Sequence, residues 1–364
     1  MTNVVLPHTL SDITQTWLTA ALGADGTPVE VVELILERIG TGQAGSTYRA
    51  TPTYIDPQPE LPETLVIKLP AEDVSLRAGL APGYRSEVAF YGKVAHTVEV
   101  PVPQCFYYDI NADGTDFALL LSDLEPAIQG DQIGGCSSEQ ARNVVAALAG
   151  LHGPSWCDPQ WLEMSEVAMP KPGDASAAQM MSEAANAAVA IVLDRLGHEL
   201  NPADHDTLRA SMNVVAHWLV SQPRYSLMHG DFRADNVMFH PTRNTVTIVD
   251  WQTISVGLPA RDLAYFTASS LTTDCRRDIE VSLVEHYHTA LSRHGVTGYD
   301  YETCWRDYCI GMIQPPLISV LGCAFATPTA RGDEMFVHTL KRSCAAIRDL
   351  QTLDLIDGAA GWGH

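Results

Sequence analysis

Eight residues in the second half of the chain, His229-Gly-Asp-Phe-Arg-Ala-Asp-Asn236, constrain it more than any others. They are polar, yet Leu227-Met228 precedes them and Val237-Met-Phe239 follows, and a further extended run, Thr245-Val-Thr-Ile-Val249, ends in Asp250. Short strands carrying polar tips are the expected result. Asp231 and Asn236 are five positions apart, and Asn236 and Asp250 fourteen. Phosphoryl transfer from Mg-ATP asks for oxygen ligands to metals that bridge the phosphates, and for a group that orients the attacking hydroxyl. An Asp, an amide oxygen and a second Asp supply that set. A single Asp before a Trp would pass for the end of a strand, but three such groups in this order do not.

At 364 residues the chain is long enough for two domains, or for one large fold with two lobes. Thr9 to Leu22 has helical periodicity and a stop at Gly23. Extended segments follow at 31–39, 46–55 and 64–70, then a helix around Arg85–Ala95, then strands at 102–110 and 116–124 joined by a turn at Asn111–Gly114. After Glu125 the pattern is mostly helical. Ser137 and Gln140 form a capping box, and helices are expected at 176–197, 204–221, 261–271, 276–294, 300–325 and 332–352. The fold class is therefore α+β. Residues 1–124 are expected to form a small lobe, a five-stranded antiparallel sheet plus helix, and residues 125–364 a larger helical one.

Acidic residues outnumber basic ones 44 to 22, for a net charge of −22, which disfavours nucleic acid as a partner. The most apolar late stretch, Gly311 to Ala326, is interrupted by Gln314-Pro-Pro316, so no membrane span is expected there. The first ten residues lack a basic n-region, and the eight cysteines have no C-x-x-C pair, so a cytoplasmic chain with reduced thiols is expected. The nucleophile elbow G-x-S-x-G and the Walker pattern G-x-x-x-x-G-K-[ST] are both absent, which sets aside the serine hydrolases and the P-loop kinases.

H-x-D-x-x-x-x-N followed by a metal-binding Asp resembles the catalytic and metal motifs of the protein-kinase-like superfamily. Gly230, the Asp-Trp-Gln at 250–252 and the run Pro259-Ala-Arg-Asp-Leu-Ala-Tyr-Phe266 resemble the aminoglycoside phosphotransferase and choline kinase branch, and within it the ecdysteroid-kinase-like members. The resemblance implies a bilobal fold and Asp231 as the residue that orients the acceptor. It also implies Asn236 and Asp250 as Mg²⁺ ligands, with ATP as co-substrate. Gly40-Thr-Gly42-Gln-Ala-Gly45, read between two strands, fits a hairpin lying over the phosphates. Lys68 matches by order the strand lysine of the α- and β-phosphates, with Glu87 as its expected partner and Glu72 as the rival. Arg233 stands where protein kinases carry a charge-neutralising lysine, although a surface role is also open to it. Asp123, Leu124 or Glu125 is implied to hold adenine through backbone groups. Asp262 is expected to cap its helix and orient the catalytic loop, and His152 to pack in the core.

The function implied is transfer of the γ-phosphate of Mg-ATP to a hydroxyl of a small acceptor: an aminoglycoside, a choline-like compound, a sugar or a steroid-like alcohol. A catalytically silent nucleotide-binding module is the alternative. A protein kinase is a weaker one, because the eleven residues between Asp250 and Asp262 leave no peptide-docking segment. The acceptor and the oligomeric state are not legible from these residues.

Overall fold

The computed structural model describes residues 4–24, 26–40, 45–56, 59–325 and 327–359. The chain divides into two compact units. One comprises residues 1–96, 102–126 and 249–253, and the other 97–101, 127–248 and 254–364.

In the first unit a short 3₁₀ turn, Leu10–Asp12, precedes helix α1 (Gln15–Leu22). The single helix expected from Thr9 is thus split, because Thr14 is extended and caps α1 by accepting from the Trp17 N–H. Strands β1 (Val31–Ile39), β2 (Gly45–Tyr54) and β3 (Leu65–Pro70) follow, then helix α2 (Val74–Ala89), and β4 (Cys105–Ile110) and β5 (Phe117–Ser122). The sheet is antiparallel throughout, in the order β1-β2-β3-β5-β4. Tyr48 and Ala50 of β2, Leu65, Ile67 and Leu69 of β3, and Ala118 and Leu120 of β5 pack with Trp17 and Leu18 of α1. Side chains alternate along a strand, so Lys68 projects from the opposite face of β3.

Helix α2 begins eleven residues earlier than expected and passes through Pro82 before a π turn at Phe90–Val94 replaces its last part. Its first turns are mostly exposed and carry no apolar stripe, so periodicity could not reveal them. They are held instead by the Asp73 cap and by the buried Arg77, whose guanidinium donates to the Ala71 carbonyl at 2.7 Å and also pairs with Asp116.

The second unit is mainly helical. Its elements are β6 (Ile128–Gln129), α3 (Ser138–His152), α4 (Ala175–Leu196), α5 (Pro202–Asn213), α6 (Val215–Val220), β7 (Ser226–Met228), β8 (Val237–Phe239), β9 (Val246–Ile248), β10 (Ser255–Gly257), α7 (Ala260–Ser270), α8 (Thr273–Arg293), α9 (Tyr301–Gly311), α10 (Gln314–Phe325), α11 (Ala330–Asp349) and α12 (Thr352–Ala359). The expected 204–221 helix breaks at Val214, and the expected 300–325 helix breaks before Gln314. The second break follows from Pro315 and Pro316, which lack the N–H a helix interior needs and fit only its first turn. Two small sheets, β6-β8-β9 and β10-β7, flank the polar loop of residues 229–236. Helix α7 is buried along its whole length, which makes it the natural support for that loop.

Candidate active site

In the first unit, Lys68 stands on the face of β3 away from α1 and reaches Glu87 of α2. Its Nζ lies 2.8 Å from Oε1 and 2.6 Å from Oε2. It also lies 3.4 Å from Asp250 Oδ1. Glu87 is fully buried and Lys68 largely enclosed, whereas the Asp250 side chain is 44% exposed. Burial alone would lower the ammonium pKa, but the two carboxylates hold it above the ordinary lysine range, so Lys68 stays charged. The rival Glu72 is engaged elsewhere, by Arg38 at 2.8 Å and by the Tyr48 hydroxyl at 2.9 Å.

Asp250 has φ +67°, a left-handed conformation that a non-glycine residue adopts at a cost of order 1–3 kcal/mol. The neighbours over-determine it. Trp251 stacks on Phe90 with ring centroids 3.6 Å apart and planes 4° from parallel, and Gln252 Nε2 donates to Glu87 Oε2 at 3.3 Å. Asp-Trp-Gln therefore locks against the α2 end that carries Glu87.

Gly40 has φ +75°, and Gly45 sits opposite Pro70 in the β2–β3 ladder. A Cβ at Gly45 would come within 2.9 Å of the Leu69 carbonyl oxygen, so only glycine fits beside the strand that carries Lys68. Gly42 lies outside the described residues. Asp123 accepts from Arg49 Nε at 2.5 Å and Nη2 at 3.3 Å, and Arg49 also pairs with Glu125 at 3.1 Å. Leu124 lies between these two acids. Burial would raise the Asp123 pKa, yet the Arg49 bonds hold it below the usual carboxylate range.

In the second unit the loop 229–236 is tied to α7 by side-chain bonds. Asp262 of α7 accepts the His229 N–H at 2.6 Å and the Gly230 N–H at 3.0 Å. The expectation that Asp262 caps its own helix is corrected: Pro259 occupies the cap, and the carboxylate is used on the loop instead. His152 is buried as expected, 3.3 Å from Asp262 Oδ2 and 2.6 Å from the Tyr287 hydroxyl.

Asp231 is held by three donors. Tyr265 O–H reaches Oδ1 at 2.7 Å, while Arg233 Nε and Asn236 Nδ2 reach Oδ2 at 2.9 and 3.0 Å. Asn236 Nδ2 also donates to the Asp231 carbonyl at 2.8 Å, which fixes the amide orientation and leaves Oδ1 as its acceptor atom. Arg233 is largely enclosed, with further bonds to Gln132 Oε1 at 2.8 Å and Asp235 Oδ2 at 3.1 Å, and this replaces the surface role left open for it. Burial opposes its charge, but the carboxylates of Asp231 and Asp235 raise its pKa further.

Lys68, Glu87 and Asp250 thus come together in one unit, and Asp231, Arg233 and Asn236 in the other. Sequence reasoning did not give roles to Tyr265, Gln252, Gln132 or Gln314. Tyr265 carried a signal, standing three positions after Asp262 and therefore on the same helical face. Gln314 was read only as an interruption of an apolar run, yet its amide donates to the Gly230 carbonyl at 3.0 Å and accepts from the buried Arg261 at 2.6 Å.

The ecdysteroid kinase-like family model matches residues 45–296. Among solved structures, the fold is similar to that of the GDP complex of aminoglycoside 2′-phosphotransferase-IIIa (TM-score 0.54, 16% identity, 91% of this chain and 99% of that one). It is also similar to an ethanolamine kinase of Plasmodium vivax (0.53, 12%, 93% and 88%) and to a choline kinase of Cryptosporidium parvum (0.51, 10%, 90% and 91%). Chicken acyl-CoA dehydrogenase family member 11 is 40% identical over 75 residues, 19% of this chain and 10% of that protein. The chain therefore spans about a tenth of the length of that curated relative. With the family match covering most of the chain, the protein belongs to the ecdysteroid kinase-like family, and its fold is the protein-kinase-like fold of these structural neighbours.

Proposed function

We propose that the protein transfers the γ-phosphate of Mg-ATP to a hydroxyl of a small acceptor. The observation that carries this reading is the buried Lys68, held charged by Glu87 and Asp250 on the sheet face that α1 leaves uncovered. Lys68 would bind the α- and β-phosphates, beside backbone groups of the Gly40–Gly45 hairpin, and Asp123–Glu125 would meet adenine through main-chain groups. Residues 1–124 would serve nucleotide binding and 125–364 the acceptor. Asp250 and the Oδ1 of Asn236 are hard oxygen donors that suit Mg²⁺. Among the described residues no group of three His, Cys, Asp or Glu side chains is arranged to hold a metal, so phosphate oxygens and water would complete the shell. When bound, Mg²⁺ would neutralise charge on the transferring phosphate. Asp231 would align the acceptor hydroxyl and take its proton late, while Arg233 supplies positive charge beside it.

The test is Mg²⁺-dependent turnover of ATP and of GTP against a panel of alcohols, including aminoglycosides, choline, sugars and sterols, with peptide substrates as a control. Both nucleotides are included because the aminoglycoside phosphotransferase neighbour holds GDP. Phosphate ester formed from an alcohol but from no peptide supports the reading. Binding of nucleotide with no turnover on any acceptor, water included, would identify a silent module instead.

A further inference from the structure

We propose that Tyr265 is a positioning residue for Asp231, fixing which carboxylate oxygen meets the acceptor hydroxyl. The inference rests on Asp231 being the residue that aligns the acceptor. An ionised carboxylate has about four lone-pair sites, two on each oxygen. Arg233 and Asn236 fill both sites on Oδ2, and Tyr265 fills one on Oδ1. The remaining site is therefore on Oδ1, beside the phenol oxygen, and the Asp231 side chain keeps 19% of its surface open.

Tyr265 itself is almost fully enclosed on α7, and facing a carboxylate it can only donate. Burial, and then the Asp231 charge, push its pKa far above the ordinary phenol value, so the donor persists at every working pH. The bond shares negative charge from Oδ1 and holds the carboxylate plane. In the reaction, the acceptor oxygen bonds to the γ-phosphorus as the bond from that phosphorus to the ADP oxygen breaks. The hydroxyl proton passes to Oδ1 and then to solvent. The other titratable or charged groups facing Asp231 are Arg233, Asp235 and His229 on its own loop and Asp262 on α7. Nearby, Gln314 of α10 bonds the Gly230 carbonyl, and Met335 of α11 and Gln132 touch Arg233; none of the three titrates.

The probe is Mg-ATP with water as the acceptor, followed by single-turnover release of labelled phosphate across pH. Tyr265→Phe keeps the ring and removes one O–H. A lost charge-assisted bond should lower kcat about ten- to a hundredfold. KM for ATP should stay unchanged, since the nucleotide is held elsewhere. Placing 3-fluorotyrosine at 265 keeps the O–H donor, so it should hold kcat within about threefold of wild type. If Tyr265→Phe keeps the wild-type kcat while Asp231→Asn is inactive, Tyr265 has no positioning role and the assignment of Asp231 stands. If Asp231→Asn turns over like wild type, or wild type turns over with neither water nor any alcohol of the panel, both readings fall together.

Discussion

Asp231 owes its orientation to partners that charge and hydrogen bonding select, not to its place in the sequence. Its Oδ2 is shared by a guanidinium and an amide, both drawn from within five residues of it. Asp231→Asn would keep the shape of the side chain but set an NH₂ against Arg233 or Tyr265. Phosphate transfer should fall by at least about a hundredfold, with ATP affinity by calorimetry changed less than about threefold. Equal losses in both measurements would show instead that the loop had collapsed. His152 makes a second residue-scale prediction. Burial lowers its pKa, with Asp262 pulling the other way, so the folded protein holds it neutral. Below about pH 6.5 the unfolded chain takes up a proton there and the folded chain does not. The state that binds more protons gains from acid, so stability should fall as pH drops through that value and level off above it. Thermal unfolding of wild type and His152→Gln across pH should give a flatter curve for the variant.

At the scale of elements, α7 works as a template laid under the loop of residues 229–236. Asp262 grips the main chain at 229 and 230, Tyr265 grips the Asp231 side chain, and Ser270 accepts the Ala234 N–H at 2.8 Å. The other side of the loop is closed by the strand pairing of β6 with β8, where the Gly130 N–H donates to the Val237 carbonyl at 2.9 Å. A Cβ at Gly130 would meet the Ala234 carbonyl oxygen at 2.4 Å and the Phe239 ring at 2.8 Å. Gly130→Ala must therefore shift backbone beside Asn236, at a cost of about 1–3 kcal/mol. Unfolding should begin several degrees lower, and transfer should weaken as well. Wild-type melting and activity in this variant would mean that the close approach is not essential.

For the whole molecule, the proposed nucleotide site ties folding to Mg-ATP. A ligand that binds only the folded chain stabilises it by about 2.7 kcal/mol at a hundred times its Kd. Saturating Mg-ATP should thus raise the unfolding temperature by several degrees, and ATP with a chelator should raise it less. Asp250→Asn should remove most of the difference between the two, since Asp250 is the proposed carboxylate ligand. Equal stabilisation of the variant by Mg-ATP and by ATP with chelator would favour that assignment, whereas an undiminished Mg²⁺ effect would contradict it. The net charge of −22 leaves the acceptor open at this scale, and the alcohol panel addresses it directly.

What could be read from residues alone were features that local chemistry enforces. The five strands announced themselves through β-branched runs and turns, Ser137 with Gln140 marked the start of α3, and Asp231, Asn236 and Asp250 stood out as oxygen donors at fixed separations. Glu87 was preferred to Glu72 on helical spacing, and its ammonium partner lies within 2.6 Å. Features held by non-local contacts stayed hidden. The first half of α2 depends on Arg77 reaching Ala71 and Asp116 rather than on an apolar stripe. Gln314 looked like a flaw in an apolar segment until Arg261 and Gly230 were found around it. Tyr265 looked like one more aromatic of a buried helix. Periodicity records which side of an element is buried, but only the folded chain decides which polar atom that buried side brings to Asp231, because hydrogen bonds between residues 34 positions apart leave no trace in local pattern.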